Sequence, residues 1–297
     1  MKEFNASDTD DKLDIGSIFD RRADTFDNLP WVANKDFLGN IFAVIYDFIE
    51  EGNRNMNDRL EFLDVGTGTG EVLKYFLDTY PEQGLLQNAY GEGIDVSKKM
   101  SELAVKKIGL CRNSNRVKIS NSSIYGIDIE ENRYDFIVCR NSLHHFVSLE
   151  RGFEIMSRIL KKDGEILIIE GVAPDIRTLN LWKPILKLKD TGRNGHAYFS
   201  LDYLSDFFNE FAKGSNLEVS KIVNLTTTPM LVSQWLSNAP FMDPESYNEI
   251  LDMIRSLYRN RYFVEKFGLK KVVKYPIEKQ DFEIKRRSAL ISLRRRS

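Results

Sequence analysis

Apolar positions along the chain follow two different periods. Ile15, Ile18, Phe19, Ala23 and Phe26 fall on one face of a predicted helix, and KDFLGNIFAVIYDFIEEG predicts a second helix ending at Gly52 before a polar linker at 53–58. From residue 60 onward, short apolar runs alternate with amphipathic stretches. LEFLDVG, NAYGEGID, RVKISNSS, YDFIVCRNS and EILIIEG read as strands. GEVLKYFLDTY, stopped by Pro81, SKKMSELAVKKIGL and LERGFEIMSRILKKDG read as helices, the last leaving through the cations Lys161 and Lys162 and then Gly164. Such alternation predicts an α/β fold, with a mostly parallel sheet covered by helices on both faces and a ligand beyond the carboxyl ends of the strands.

After residue 172 the alternation fails. Residues 173–200 read as a helix followed by a glycine-containing loop, and SLDYLSDFFNEF as an amphipathic helix capped by Ser200 or Asp202. LEVSKIVNLTT reads as a strand, and residues 230–268 as two or three helices, one starting at Asp243 and Pro244. DFEIKRRSALISLRRRS reads as a last strand with a charged tail.

The junction FLDVGTGTGEV places Gly66, Gly68 and Gly70 where a strand hands over to a helix. Glycine takes positive φ and lets a ligand touch the backbone, and the helix that follows directs free N–H groups at the same place. The spacing is G-x-G-x-G behind Asp64, whereas a dinucleotide fingerprint has G-x-G-x-x-G, which counts against an NAD(P)-dependent oxidoreductase.

Composition narrows the field further. With 42% hydrophobic and 29% charged residues over 297 positions, the chain has the balance of an ordinary globular protein. A net charge of −2 gives no reason to expect nucleic acid, and the cations Lys285, Arg286, Arg287, Arg294, Arg295 and Arg296 read as a solvated strand edge and tail. Cys111 and Cys139 have no metal-like spacing, so no metal is expected. MKEFNASDTDDK lacks the apolar core of a signal peptide and no run reaches membrane-spanning length, which implies a cytoplasmic protein without a membrane partner.

The motifs taken in order resemble those of the class I S-adenosylmethionine-dependent methyltransferases, particularly the small-molecule and quinone-biosynthesis branch. The resemblance runs through FLDVGTGTGEV, GEGIDVSKKM, ISNSSIYGIDI, YDFIVCRNSLHHF and LKKDGEILIIEG, and covers about residues 12–172 plus the final two strands. It implies a Rossmann-like, seven-strand, mostly parallel sheet with helical cap insertions. It divides the chain into N-terminal helices and lid at 1–58, a cofactor-binding core at 59–172, cap helices with the sixth strand at 173–283, and the last strand with its basic tail at 284–297. It also implies S-adenosyl-L-methionine as cofactor. Gly66 and Gly68 then admit its amino-acid part and ribose, with Gly70 completing the turn. Asp64 takes the α-ammonium, Asp95 the ribose hydroxyls, and Ser123 and Ile124 bound the adenine, while Arg140 and Asn141 stand at the mouth of the fourth strand.

The acceptor implied is a small organic molecule: a metabolite, a quinone-like compound or a modified or short peptide. Its reacting atom, oxygen, nitrogen or carbon, stays open. His144 and His145 are candidate general bases, of which adjacency lets only one face the acceptor. Phe26, with Arg22, belongs to the expected lid. His196, Tyr198, Trp182 and Trp235, with Tyr203 and Phe241, are expected to line an acceptor pocket under the cap. A catalytically silent cofactor-binding subunit is the rival outside the enzyme class.

Overall fold

The computed structural model describes residues 15–29, 32–51, 59–79, 88–128, 130–189, 198–226, 229–237, 243–274, 279–285 and 287–295. The linker at 53–58 with Gly52, the stop at Pro81, the loop carrying His196, and Phe241, Arg286 and Arg296 lie outside these residues. Helices α1 (Ile15–Phe26) and α2 (Lys35–Glu51) precede β1 (Leu60–Val65), α3 (Glu71–Thr79), β2 (Ala89–Asp95), α4 (Lys98–Gly109), β3 (Val117–Asn121), β4 (Tyr134–Arg140), α5 (Leu149–Ile159) and β5 (Leu160–Ala173). There follow α6 (Ile176–Lys189), β6 (Phe199–Ser200), α7 (Leu201–Gly214), β7 (Leu217–Thr226), β8 (Met230–Leu231), α8 (Val232–Ser237), α9 (Pro244–Leu257), α10 (Arg261–Phe267), β9 (Lys270–Lys274), β10 (Lys279–Ile284) and β11 (Arg287–Arg295).

The main sheet runs in the order β3-β2-β1-β4-β5-β11-β7, with the short β6 paired to the end of β5. β1 to β5 are parallel, and β11 is antiparallel to both β5 and β7. The near-continuous apolar run of β4 follows from burial on both faces. Phe136 and Val138 pack with Phe42 and Phe76 of α2 and α3, whereas Ile137 and Cys139 pack with Phe153 and Phe208 of α5 and α7. Strand order reverses between β1 and β4, which opens a crevice at their carboxyl ends.

Two expectations are corrected. α5 stops at Ile159, and Lys161 to Gly164 open β5 instead of closing the helix. Leu160 pairs with Tyr134 and is wholly buried, and Lys161 Nζ reaches the buried Asp135 carboxylate at 2.7 Å. Gly164 does not take the left-handed conformation of a helix exit. Tertiary pairing here outweighs local capping chemistry.

The expected last strand is two strands. β10 forms an antiparallel sheet with β8 and β9, while β11 enters the main sheet. Phe282 and Ile284 feed a core of Trp182, Ile185, Ile250, Ile254, Phe263 and Phe267, and Ala289, Ile291 and Leu293 feed the main one. The polar run Lys285 to Ser288 separates the two halves, but a charged stretch at a strand edge reads the same way in sequence, so the pattern alone does not reveal that they serve different cores. The three helices α8, α9 and α10 lie between β8 and β9, and Asp243 caps α9 by accepting the Ser246 N–H at 2.8 Å, with Pro244 first in the helix.

Candidate active site

The glycine turn after β1 is knit to β2, because the Gly66 and Thr67 N–H groups both donate to Ile94 O at 2.9 Å. Gly66 sits at φ +71°, and a Cβ there would lie 2.0 Å from Ser142 Oγ and 2.6 Å from Ser142 Cβ, so the loop after β4 passes where a side chain would be. Gly66→Ala is expected to cost about 1–2 kcal/mol from the left-handed backbone alone. An unfolding midpoint in urea equal to that of the unsubstituted protein would show that the backbone at 66 shifts out of the left-handed region without cost. Gly68, at φ +55°, faces the cavity, with Phe26 Cε1 3.6 Å from where its Cβ would be. Gly70 stands behind the turn, against Ala104 of α4.

Two carboxylates flank the turn, Asp64 buried and Asp95 half-buried. Asp95, at the tip of β2, accepts the Gly68 N–H through Oδ2 and the Ser97 N–H through Oδ1, each at 2.8 Å. Burial pushes its pKa up while those two backbone donors hold it down. Asp64, 1% exposed, accepts the Thr67 hydroxyl at 2.7 Å. Burial pushes its pKa up to about 7, against the lowering influence of that hydrogen bond and of the Arg140 guanidinium.

α1 closes over this turn. Asp20 Oδ1 accepts the Ser97 hydroxyl at 2.5 Å and the Lys99 N–H at 2.9 Å at the start of α4, and these donors hold its pKa below the ordinary carboxylate value. Asp27, just past α1, accepts the Thr69 hydroxyl at 2.5 Å and pairs with Lys107 at 2.7 Å. Arg140 Nη2 donates to Val32 O at 2.9 Å, which ties the segment after α1 to the end of β4. Phe19 and Phe26 thereby form the roof of a cavity of about 560 Å³.

Of the residues singled out in the sequence, Phe26, Asp64, Gly66, Gly68, Asp95, Ser123, Ile124, Arg140, Asn141 and His145 all line that one cavity. His144 turns away, its Nδ1 2.9 Å from Glu170 Oε1. Trp182 and Trp235 are not on this wall: they stack at 5.3 Å in the core shared by α6 and α8–α10, which consumes the apolar faces that a pocket would have needed. Tyr198, just before β6, and Tyr203, stacked on Phe199, are likewise off the wall, and His196 lies outside the described residues. Among the described residues the wall comes from positions 15–147, so α1 and not the cap encloses the cavity. Sequence reasoning missed Ile15, Val32 and Glu170. The apolar face of the first helix contained the signal for Ile15; nothing local marks Val32, and Glu170, though inside LKKDGEILIIEG, has no local feature that gives it a role. Among the described residues no cluster of three His, Cys, Asp or Glu side chains is disposed to hold a metal ion.

Residues 63–168 match a family model described as "Methyltransferase domain". That segment, about a third of the chain, is what the chain shares with methyltransferases.

Over 173 residues the chain is 27% identical to the ubiquinone/menaquinone biosynthesis C-methyltransferase UbiE of Geotalea uraniireducens, a match covering 58% of this chain and 63% of the relative. A demethylmenaquinone methyltransferase of Bacteroides fragilis is 29% identical over 119 residues, 39% of this chain and 44% of the relative. The chain thus spans less than two thirds of either relative's length. The fold superposes on YcgJ of Bacillus subtilis with a TM-score of 0.62 at 18% identity, covering 80% of this chain and 93% of that one. These likenesses show a Rossmann-like fold, shared also with a SAM-dependent methyltransferase of Geobacter sulfurreducens in complex with S-adenosyl-L-homocysteine, at a TM-score of 0.54 and 16% identity over 96% of this chain and 100% of that one.

The cavity wall fits S-adenosyl-L-methionine. Gly68 leaves backbone bare toward the cavity, two carboxylates stand ready for a cationic and a hydroxylated group, and Ile124, 4% exposed, offers an apolar edge beside Ser123.

Proposed function

We propose that the protein transfers the methyl group of S-adenosylmethionine to a small organic acceptor held beneath α1. One observation carries this reading: the glycine turn, the carboxylates of Asp64 and Asp95 and the aromatic roof converge on a single cavity at the carboxyl ends of β1, β2 and β4. The cofactor supplies an electrophilic sulfonium methyl, so the protein's task is chiefly to align a nucleophile with it and exclude water. Gly66 and Gly68 let the amino-acid part and ribose approach the backbone. Asp95 accepts from the ribose hydroxyls with the lone pairs left over from its two N–H donors, and Asp64 receives the α-ammonium. Ser123 and Ile124 bound the adenine. Phe19, Phe26 and Val32 give the acceptor an apolar enclosure suited to a metabolite, a quinone-like compound or a short peptide end, not a folded macromolecule. The same reading keeps 1–58 as lid, 59–172 as cofactor core, 173–283 as cap and 284–297 as the closing strand, and places the protein in the cytoplasm. Among the described residues no helix is long and apolar enough to cross a membrane.

Isothermal titration with S-adenosylmethionine and S-adenosylhomocysteine, followed by a screen of phenols, reduced quinones, amines and peptides for S-adenosylhomocysteine release, tests the proposal. Binding with acceptor-dependent release is expected, and no heat from either nucleoside on the folded protein would refute it.

The Asp64 assignment has a pH signature. Between 3.8 and about 7 the folded protein retains a proton that the unfolded chain has already released, so this group's contribution to stability falls as pH rises through that window. A cationic ammonium pairs only with the ionised carboxylate. Cofactor affinity should therefore rise as the proton leaves, and be about tenfold weaker at pH 6 than at pH 8. Asp64→Asn should flatten the profile; an equal slope in that variant would assign the dependence to another group.

A further inference from the structure

The adjacent histidines after β4 have different surroundings, and the difference turns on Glu170, which sits inside the motif LKKDGEILIIEG but was given no role there. Glu170, near the end of β5 and 2% exposed, accepts three N–H groups. Its Oε1 lies 2.9 Å from His144 Nδ1 and 2.8 Å from the Gly171 nitrogen, and its Oε2 lies 3.4 Å from the His144 nitrogen. The contact fixes the plane of the His144 ring, and an ionised Glu170, which only accepts, assigns the ring proton to Nδ1. The His145 ring packs on it at a centroid distance of 4.0 Å and meets Phe19 edge-on at 5.0 Å, so it is clamped between His144 and the lid. Only His145 of the two lines the cavity.

We propose that Glu170 and His144 are positioning residues that hold His145 as the catalytic base toward an acceptor bearing a proton on its reacting atom. This rests on the methyl-transfer reading above. The acceptor's lone pair forms the new bond to the methyl carbon, the C–S bonding pair stays on sulfur, and the acceptor's proton passes to a ring nitrogen of His145 and from there to solvent. The arrangement accounts for two neighbouring imidazoles with unlike duties. One is locked by a buried carboxylate, and the other takes its orientation from the first.

The chain has three histidines, so their ring nitrogens can be resolved by ¹⁵N NMR and assigned by substitution, without cofactor or acceptor. His144 is expected as the Nδ1–H tautomer with His145 ring protons in contact with Phe19. The Nε2–H tautomer at His144, or no such contact, would overturn the proposal in the unsubstituted protein, whatever the variants do. Glu170→Gln should lower kcat about tenfold with the KM for S-adenosylmethionine within about twofold, and Glu170→Asp should recover most of it. His145→Ala should lower kcat about 100-fold or more on a proton-bearing acceptor found by the screen. Equal small losses in all three variants would make the cluster structural. Titration with S-adenosylhomocysteine reads the methyl-transfer assignment separately: binding intact with the wrong tautomer sinks this inference alone.

Discussion

Trp182→Ala lowers the unfolding free energy by about 3–5 kcal/mol and leaves affinity for S-adenosylhomocysteine unchanged. Trp182 is 5% exposed and sits among Phe267 at 4.6 Å, Trp235 at 5.3 Å and Phe263 at 5.8 Å. Truncation removes its apolar burial and several ring contacts, each worth about 0.5–1.5 kcal/mol beyond area. The cavity it leaves is ringed by rigid aromatics that collapse poorly. Because this core is separate from the two that sandwich the sheet, denaturation of the variant should show an early transition for the cap. Urea titration followed by circular dichroism, paired with calorimetric titration, measures both quantities. A tenfold weaker affinity in a fully folded variant would put Trp182 in contact with the cofactor after all.

Asp95→Ala weakens cofactor binding by about 1.5–3 kcal/mol, roughly 10- to 150-fold, the range for hydrogen bonds to a charged group. Two effects combine. The ribose loses its carboxylate, and the N–H groups of Gly68 and Ser97 lose their acceptor, so the glycine turn is freed from the tip of β2. Asp95→Asn separates them, since an amide oxygen still satisfies one N–H without offering charge; an intermediate loss is expected. A dissociation constant unmoved by the alanine substitution would remove Asp95 from the site.

What the sequence made legible follows from how local the cause is. β4 is apolar nearly throughout because helices cover both faces, and that run of residues is visible without knowing the partners. The three glycines announce a backbone need at the very positions where φ is positive. Asp95 is placed by strand alternation and its distance from the turn. The remainder depends on contacts between distant segments. Glu170 looks like the polar end of EILIIEG until β5 is set beside β4 and it meets His144 from across the sheet. Trp182 and Trp235 show an aromatic character that suits a pocket wall and a packed core equally; only the arrival of α10 decides for the core. The end of α5 was misread because Lys161 answers to Asp135, not to its own helix.

β7 and β11 are hydrogen-bonded neighbours, yet residues 227–286, with the whole three-stranded sheet and α8–α10, are threaded between them. Closing a longer excursion between two ends already held together adds only about 0.6 kcal/mol per doubling of its length. Descendants of this chain are therefore free to lengthen or remodel that excursion at little entropic cost, provided the apolar face of α6 around Trp182 and Ile185 stays covered. The donor cradle, built from positions before 150, would pass through such remodelling untouched.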